Sequence, residues 1–133
     1  MIVDQDHLKL VRTNELFKSV PESFLKTFIK PKNFECVKDG TLLYSFDDDS
    51  NEFYLIVHGE VKIKFCDKST IERKYLHDFF GEKEILDESK RYSFAVADKD
   101  CTLYKIDAAE FKELMKNEET IANNILRTEA VET

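Results

Sequence analysis

Gly81 and Arg91 are the residues of this chain whose types and spacing point most directly to chemistry. They bound the stretch Phe80-Gly81-Glu82-Lys83-Glu84-Ile85-Leu86-Asp87-Glu88-Ser89-Lys90-Arg91, which has neither a strand pattern nor that of an ordinary turn. A glycine followed by a short helical turn offers free backbone N–H groups, and an arginine closing the same excursion offers a forked donor for oxyanions. Together they can hold a phosphate. The plain alternative is that Arg91 is a surface residue paired with Glu84 or Glu88, and that Glu82 is a solvated acid on a turn; Glu82 gains weight only beside Gly81 and Arg91. Other clusters carry less. The acidic run Asp47 to Asp49 with Glu52 lacks the glycine and the closing glutamate of a calcium loop. His7, His58 and His77 are too scattered for a metal site, and Cys66 and Cys101 have no neighbouring base to make a thiolate. No catalytic residue and no metal site are expected.

The elements that must position this stretch follow from the apolar spacing. From Thr13 to Lys30, Leu16, Phe17, Val20, Phe24, Leu25, Phe28 and Ile29 recur at intervals of three and four, which predicts two short helices. Ser19 and Glu22 have the spacing of a capping box beside Pro21, which would start the second helix. From Asn33 to Ile106 the period shortens. Strands are predicted at Phe34 to Val37, Leu42 to Phe46, Phe53 to His58, Val61 to Cys66, Lys74 to Phe79, Ser93 to Ala97 and Leu103 to Ile106, which suits an antiparallel sandwich or barrel. Alternation is clearest in VKIKFC, where Val61, Ile63 and Phe65 point one way and Lys62 and Lys64 the other. Gly40, Gly59 and Gly81 fall where the backbone needs tight or positive-φ turns. Asp107, with Glu110 three residues on, caps a final helical region that breaks near Asn117.

Composition narrows the classes. The 133 residues suffice for one compact domain, 1–133, with helices over about 13–30 and 107–130 around a β region at 33–106. Twenty Lys and Arg against 27 Asp and Glu give a net charge of −7, the wrong sign for a nucleic-acid or anionic-lipid partner. No apolar run is long enough to span a bilayer, and the N-terminus carries acids where a secretory signal is basic, so a cytoplasmic location and no membrane insertion are expected. Cys36, Cys66 and Cys101 are read as reduced thiols packed in the interior. Eleven Phe and five Tyr supply the aromatic volume of a core.

Three sets of residues in order give the chain a family likeness. Leu16-Phe17, the ungapped run GTLLYSFDDDSNEFYLI from Gly40 to Ile56, and Phe80-Gly81-Glu82 with Arg91 resemble the cyclic nucleotide-binding domain of protein kinase A regulatory subunits, nucleotide-gated channels and catabolite activator proteins. Val57-His58-Gly59-Glu60-Val61 is similar to the family's strand turn, and Ala97, Cys101, Leu103 and Phe111 continue the pattern. The resemblance implies a mainly β fold, an eight-stranded β-roll of jelly-roll or double-stranded β-helix type with N- and C-terminal helices, and a phosphate-binding cassette at 80–91. It implies that the cassette amides from Gly81 and the Arg91 guanidinium take the cyclic phosphate and that Glu82 accepts from the ribose 2′-hydroxyl. The ligand-binding set is then Phe80, Gly81, Glu82, Glu84, Ile85, Leu86, Arg91, Tyr92 and Ser93. Ile125 and Leu126 of the last helix would lie over the base.

The expected function is a regulatory module that binds cAMP or cGMP without catalysis and needs no cofactor, its last helices moving to a surface read by a protein partner or a second copy. Some positions depart from the family. Glu84 stands where a small alanine is common, Tyr92 where alanine or threonine is common, and Asp47 in place of a glycine. Either Glu84 points to solvent, or the pocket suits something less negative, such as an uncharged nucleoside with Glu84 paired to Arg91. A degenerate member of the fold serving as a scaffold for protein interaction or dimerisation is the alternative. A DNA-binding helix-turn-helix is not expected in a chain that reaches only Thr133.

Overall fold

The computed structural model describes the backbone of residues 5–66 and 71–132, and the side chains of 8–66 and 71–128. His7 therefore has no described side chain. Among the described residues, eight antiparallel strands form two four-stranded sheets. One sheet, in the order β1 (Phe34–Val37), β8 (Cys101–Asp107), β3 (Glu52–His58), β6 (Phe79–Phe80), lies against the second, β2 (Leu42–Tyr44), β7 (Ser93–Ala97), β4 (Val61–Phe65), β5 (Ile71–Lys74). The expected β-roll with flanking helices is the fold observed.

β3 shows why the sheets lie where they do. Its run Phe53-Tyr54-Leu55-Ile56-Val57 is buried throughout, as a strand covered on both faces must be. Phe53, Leu55 and Val57 face a core shared with the helices, whereas Tyr54 and Ile56 face a second core between the sheets. Each such side chain contributes about 1.5–3 kcal/mol by burial. In β4 the alternation is as read: Val61, Ile63 and Phe65 are buried, and Lys64 is exposed.

The N-terminal region differs from the sequence reading. A helix α1 (Gln5–Arg12) precedes Thr13, inserting Leu8 and Val11, too few apolar residues to give a period. The first of the two predicted helices is only a 3₁₀ turn, Glu15–Phe17, capped by the Asn14 side chain, which accepts from the Leu16 amide. Ser19 is no capping residue: its φ of 65° is incompatible with the extended conformation a cap requires, and Pro21 precedes α2 (Glu22–Phe28) with no side-chain cap. The predicted strand Lys74 to Phe79 is also two strands in different sheets. Between them the Tyr75 amide donates to the Asp78 carboxylate at 2.8 Å, closing a turn that leaves Tyr75 and Leu76 half exposed.

At the other end of the chain Asp107 caps α4 (Ala108–Asn117), accepting from the Ala109 and Glu110 amides, and α5 (Glu119–Glu132) follows. Among the described residues no helix is long and apolar enough to cross a membrane.

The thiols divide differently from the interior assignment. Cys36 is exposed because β1 is an edge strand, Cys66 is exposed just beyond β4, and Cys101 alone is buried. Cys101 donates to the Glu60 and Lys99 carbonyls, and burial pushes its thiol pKa up. A thiol-reactive dye is therefore expected to label two sites rapidly in native protein and the third only on unfolding. Rapid labelling of all three would contradict this burial.

Candidate functional site

The cassette is built from a turn, one short helix and a return to β7. Gly81 sits at φ 91° before α3 (Glu82–Leu86), a left-handed conformation that favours glycine. At the far end, the backbone of Arg91 is clamped to the loop between β2 and β3: its amide donates to the Asp48 carbonyl at 2.9 Å, and its carbonyl accepts from the Asp47 amide at 2.8 Å. Asp47 adopts φ 68°, which explains why a glycine suits this position and how an aspartate, tolerant of that region, serves instead.

Arg91 is only 3% exposed, and its guanidinium points into the roll. Its Nη1 donates to the Gly81 carbonyl at 2.6 Å and to Glu84 Oε1 at 3.1 Å, and its Nη2 donates to the Glu52 carbonyl. The Tyr44 ring lies 3.8 Å beneath Cζ. Nε has no hydrogen-bond partner among the described residues. Glu84 is itself 1% exposed and accepts from Ser93 Oγ through its other oxygen at 2.5 Å. Glu84 thus points inward, not to solvent, and a carboxylate occupies the anion position of the arginine fork.

Aromatic rings form the wall behind the pair. Tyr54 stacks on Phe80 with centroids 5.1 Å apart, Tyr44 stacks on Tyr54 at 6.4 Å, and the Tyr54 hydroxyl donates to Glu52 at 2.7 Å. Burial first, and then the charge of Glu84, holds the Tyr44 phenol protonated far above its ordinary range; burial and the bond to Glu52 do the same for Tyr54. Both rings therefore act as neutral walls.

A cavity lies on the Glu84 side of this pair, lined by Tyr44, Ile63, Phe65, Glu72, Lys74, Phe80, Gly81, Glu82, Lys83 and Glu84. Its volume is about 10 Å³, the space of roughly one water, because side chains of α3 fill it. Lys83 reaches across its mouth, with Nζ 5.0 Å from the centre of the Phe65 ring and 3.9 Å from Glu72 Oε1.

The structure brings together Phe80, Gly81, Glu82, Glu84, Arg91 and Ser93, Glu82 being 4% exposed. It does not bring Ile85 or Leu86 to the cavity: a single helical turn presents one side to it, so Ile85 turns into the helical core and Leu86 outward. Tyr92, expected in the ligand-binding set, does not line the cavity either; its hydroxyl donates to Asp87 at 2.6 Å and its ring lies 6.0 Å from Phe65. In this structure neither Ile125 nor Leu126 lines the cavity. Ile125 is buried in the helical core and Leu126 is 66% exposed, because Asn124 Nδ2 donates to the Leu16 and Lys18 carbonyls at 2.8 Å and fixes α5 on the N-terminal 3₁₀ turn. Tyr44, Glu72 and Lys83 are not assigned to the site from sequence, and Glu52 enters there only with the acidic run set aside as a calcium loop. Only the inward alternation of Phe65 signalled that part of the cavity. Among the described residues no group of three or more His, Cys, Asp and Glu is arranged to hold a metal.

A β-roll with a cassette helix, a buried arginine fork and an aromatic wall defines a small-ligand-binding regulatory domain. Residues 34–118, more than half of the chain, match the family model of the cyclic nucleotide-binding domain, and the chain belongs to that family. A search of curated proteins found no match. Among solved structures, the sensor domain of the transcriptional regulator DNR from Pseudomonas aeruginosa is similar with a TM-score of 0.76 at 17% identity, covering 96% of this chain and 89% of that one. The regulatory domain of Toxoplasma gondii PKA, crystallised with cAMP, gives 0.68 at 22% identity, covering 84% and 45%. A protein of Ruegeria pomeroyi described as cyclic nucleotide binding gives 0.71 at 19% identity; the chain covers 57% of its length and 95% of its own. These likenesses concern the fold.

Proposed function

We propose that this domain senses a cyclic nucleotide whose phosphate exchanges with the Glu84 carboxylate at Arg91. The observation that carries the reading is the buried Arg91 guanidinium, which already holds one oxygen of Glu84 at 3.1 Å, and Glu84 lines the cavity. An anionic phosphate oxygen makes the same charge-assisted contact, and Ser93 Oγ, now donating to Glu84, is free to turn once that carboxylate leaves. Glu82, buried beside Gly81, is the acceptor for a sugar hydroxyl. The family match and the cAMP complex of the Toxoplasma relative favour this reading over an inert scaffold. The event is binding, with no bond broken. Moving α3 would be felt through Ile85 in the helical core that also holds Ile121 and Ile125 of α5.

Calorimetry with cAMP and cGMP on the wild type and on Glu84→Gln tests the exchange. The glutamine keeps the shape and an acceptor for Arg91 but removes the competing charge, so at least one nucleotide is expected to bind about tenfold tighter or more. Adding Arg91→Lys, which keeps the charge but loses the fork, is expected to undo the gain. No heat with either nucleotide at millimolar concentration, in both proteins, would reject the reading.

A further inference from the structure

We propose that Glu72 reads the base of the ligand and selects guanine over adenine; the inference rests on the cyclic nucleotide reading of the same cavity. Glu72 lies on β5 and lines the cavity with Phe65. One of its oxygens, Oε1, lies 3.9 Å from Lys83 Nζ, and Oε2 is buried with no hydrogen-bond partner among the described residues. A desolvated carboxylate oxygen left unpaired beside a cavity is a costly arrangement that a donor from a ligand relieves.

Lys83 shows where that ligand group would lie. Its ammonium sits 5.0 Å from the centre of the Phe65 ring and next to Glu72, making a cation–π contact and an ion pair at once. A flat heterocycle in its place stacks on Phe65 and turns its edge to Glu72. The lysine, partly exposed on a flexible stem, can swing to solvent. Lys83 and Glu84 are consecutive, so one turn of α3 fills the base end with a cation and the phosphate end with an anion. Both contacts are ones a nucleotide can replace.

The chemistry of the edge decides the base. A carboxylate only accepts, and guanine presents two adjacent donors, N1–H and the 2-amino group, that match its two oxygens. Adenine presents one amino donor beside the N1 lone pair, which faces the carboxylate unfavourably. A site built to accept two such bonds rejects the base that cannot make them.

Affinities of cGMP, cIMP and cAMP are measured by calorimetry in Glu84→Gln protein, with and without Glu72→Gln. With Glu72 present, cGMP is expected to bind about tenfold tighter than cAMP or better, with cIMP, which lacks the 2-amino group, in between. With Glu72→Gln the cGMP to cAMP ratio is expected to fall to within about threefold. A loss of folding would weaken all three ligands together and leave the ratio unmoved. Equal or tighter binding of cAMP when Glu72 is present, or a ratio indifferent to Glu72→Gln, overturns the assignment and leaves the cyclic nucleotide reading standing; no binding of any of the three overturns both.

Discussion

Arg91→Ala is expected to lower the unfolding free energy by about 3–5 kcal/mol, the range for stripping one partner from a buried ion pair. Arg91 and Glu84 are 2% and 1% exposed at their side chains, so removing the guanidinium leaves a carboxylate in the roll whose remaining hydrogen-bond partner among the described residues is Ser93. The Gly81 and Glu52 carbonyls lose their donor in the same step, and Tyr44 loses the cation over its ring. Against a typical total of about 5–15 kcal/mol this is a large fraction of stability. Adding Glu84→Ala removes the stranded charge and is expected to recover about 1 kcal/mol or more, but not the whole, because the two carbonyls still lack the charged donor. Urea unfolding of the wild type, both single variants and the double variant measures the coupling. A single-variant loss below about 1 kcal/mol with no coupling would mean that Glu84 finds water without Arg91, and the exchange with a phosphate would lose its driving logic. The same reasoning makes Arg91→Ala a poor binding control, since lost affinity and lost fold would coincide.

How far the sequence disclosed this arrangement depends on the range over which each residue is held. Local devices were readable. The alternation of Val61, Ile63 and Phe65, the cap at Asp107 and the interval from Gly81 to Arg91 each depend on neighbours within one element or excursion, and the structure shows them. Elements decided at a distance were not. Tyr75 and Leu76 are apolar enough to suggest a strand, yet the chain turns there and leaves them exposed, and the turn is tied down from afar, the Asp78 carbonyl accepting from Asn14 Nδ2 at 2.9 Å and from the Ile56 amide at 3.0 Å. Ile125 and Leu126 have similar character, and which one is buried is settled by Asn124 reaching the carbonyls of Leu16 and Lys18, more than a hundred residues earlier. Spacing alone placed Glu84 on a helical turn but left its direction open. It turns inward because Arg91 and Ser93 arrive from the far side of the excursion to receive it. Tyr44 and Glu72 reach the cavity from β2 and β5, on either side of the second sheet, and nothing in their own segments marks them.

Gly59→Ala is expected to cost about 3 kcal/mol or more, combining an unfavourable backbone conformation with overpacking. The chain crosses between the two sheets at this turn, leaving β3 at His58 and entering β4 at Val61. Gly59 has φ 102°, and a methyl group there would meet Cys101 Sγ at 2.6 Å, the Asp100 carbonyl oxygen at 2.7 Å and Cys101 Cα at 2.9 Å. Of these three obstacles only the sulfur can be removed by substitution. Cys101→Ala in the Gly59→Ala background should therefore restore part of the loss while the backbone contacts and the strained φ remain. Thermal and urea melts of the variants check the order: wild type most stable, then the double variant, then Gly59→Ala. A loss below about 1 kcal/mol would show that the turn relaxes freely. The consequence reaches the site, because β3 and β4 run from this turn to Glu52, whose carbonyl accepts from Arg91, and to Phe65, the wall of the cavity. A turn that could shift would let the two strands slide apart at their far ends, and the distance between the arginine fork and the base wall would no longer be fixed.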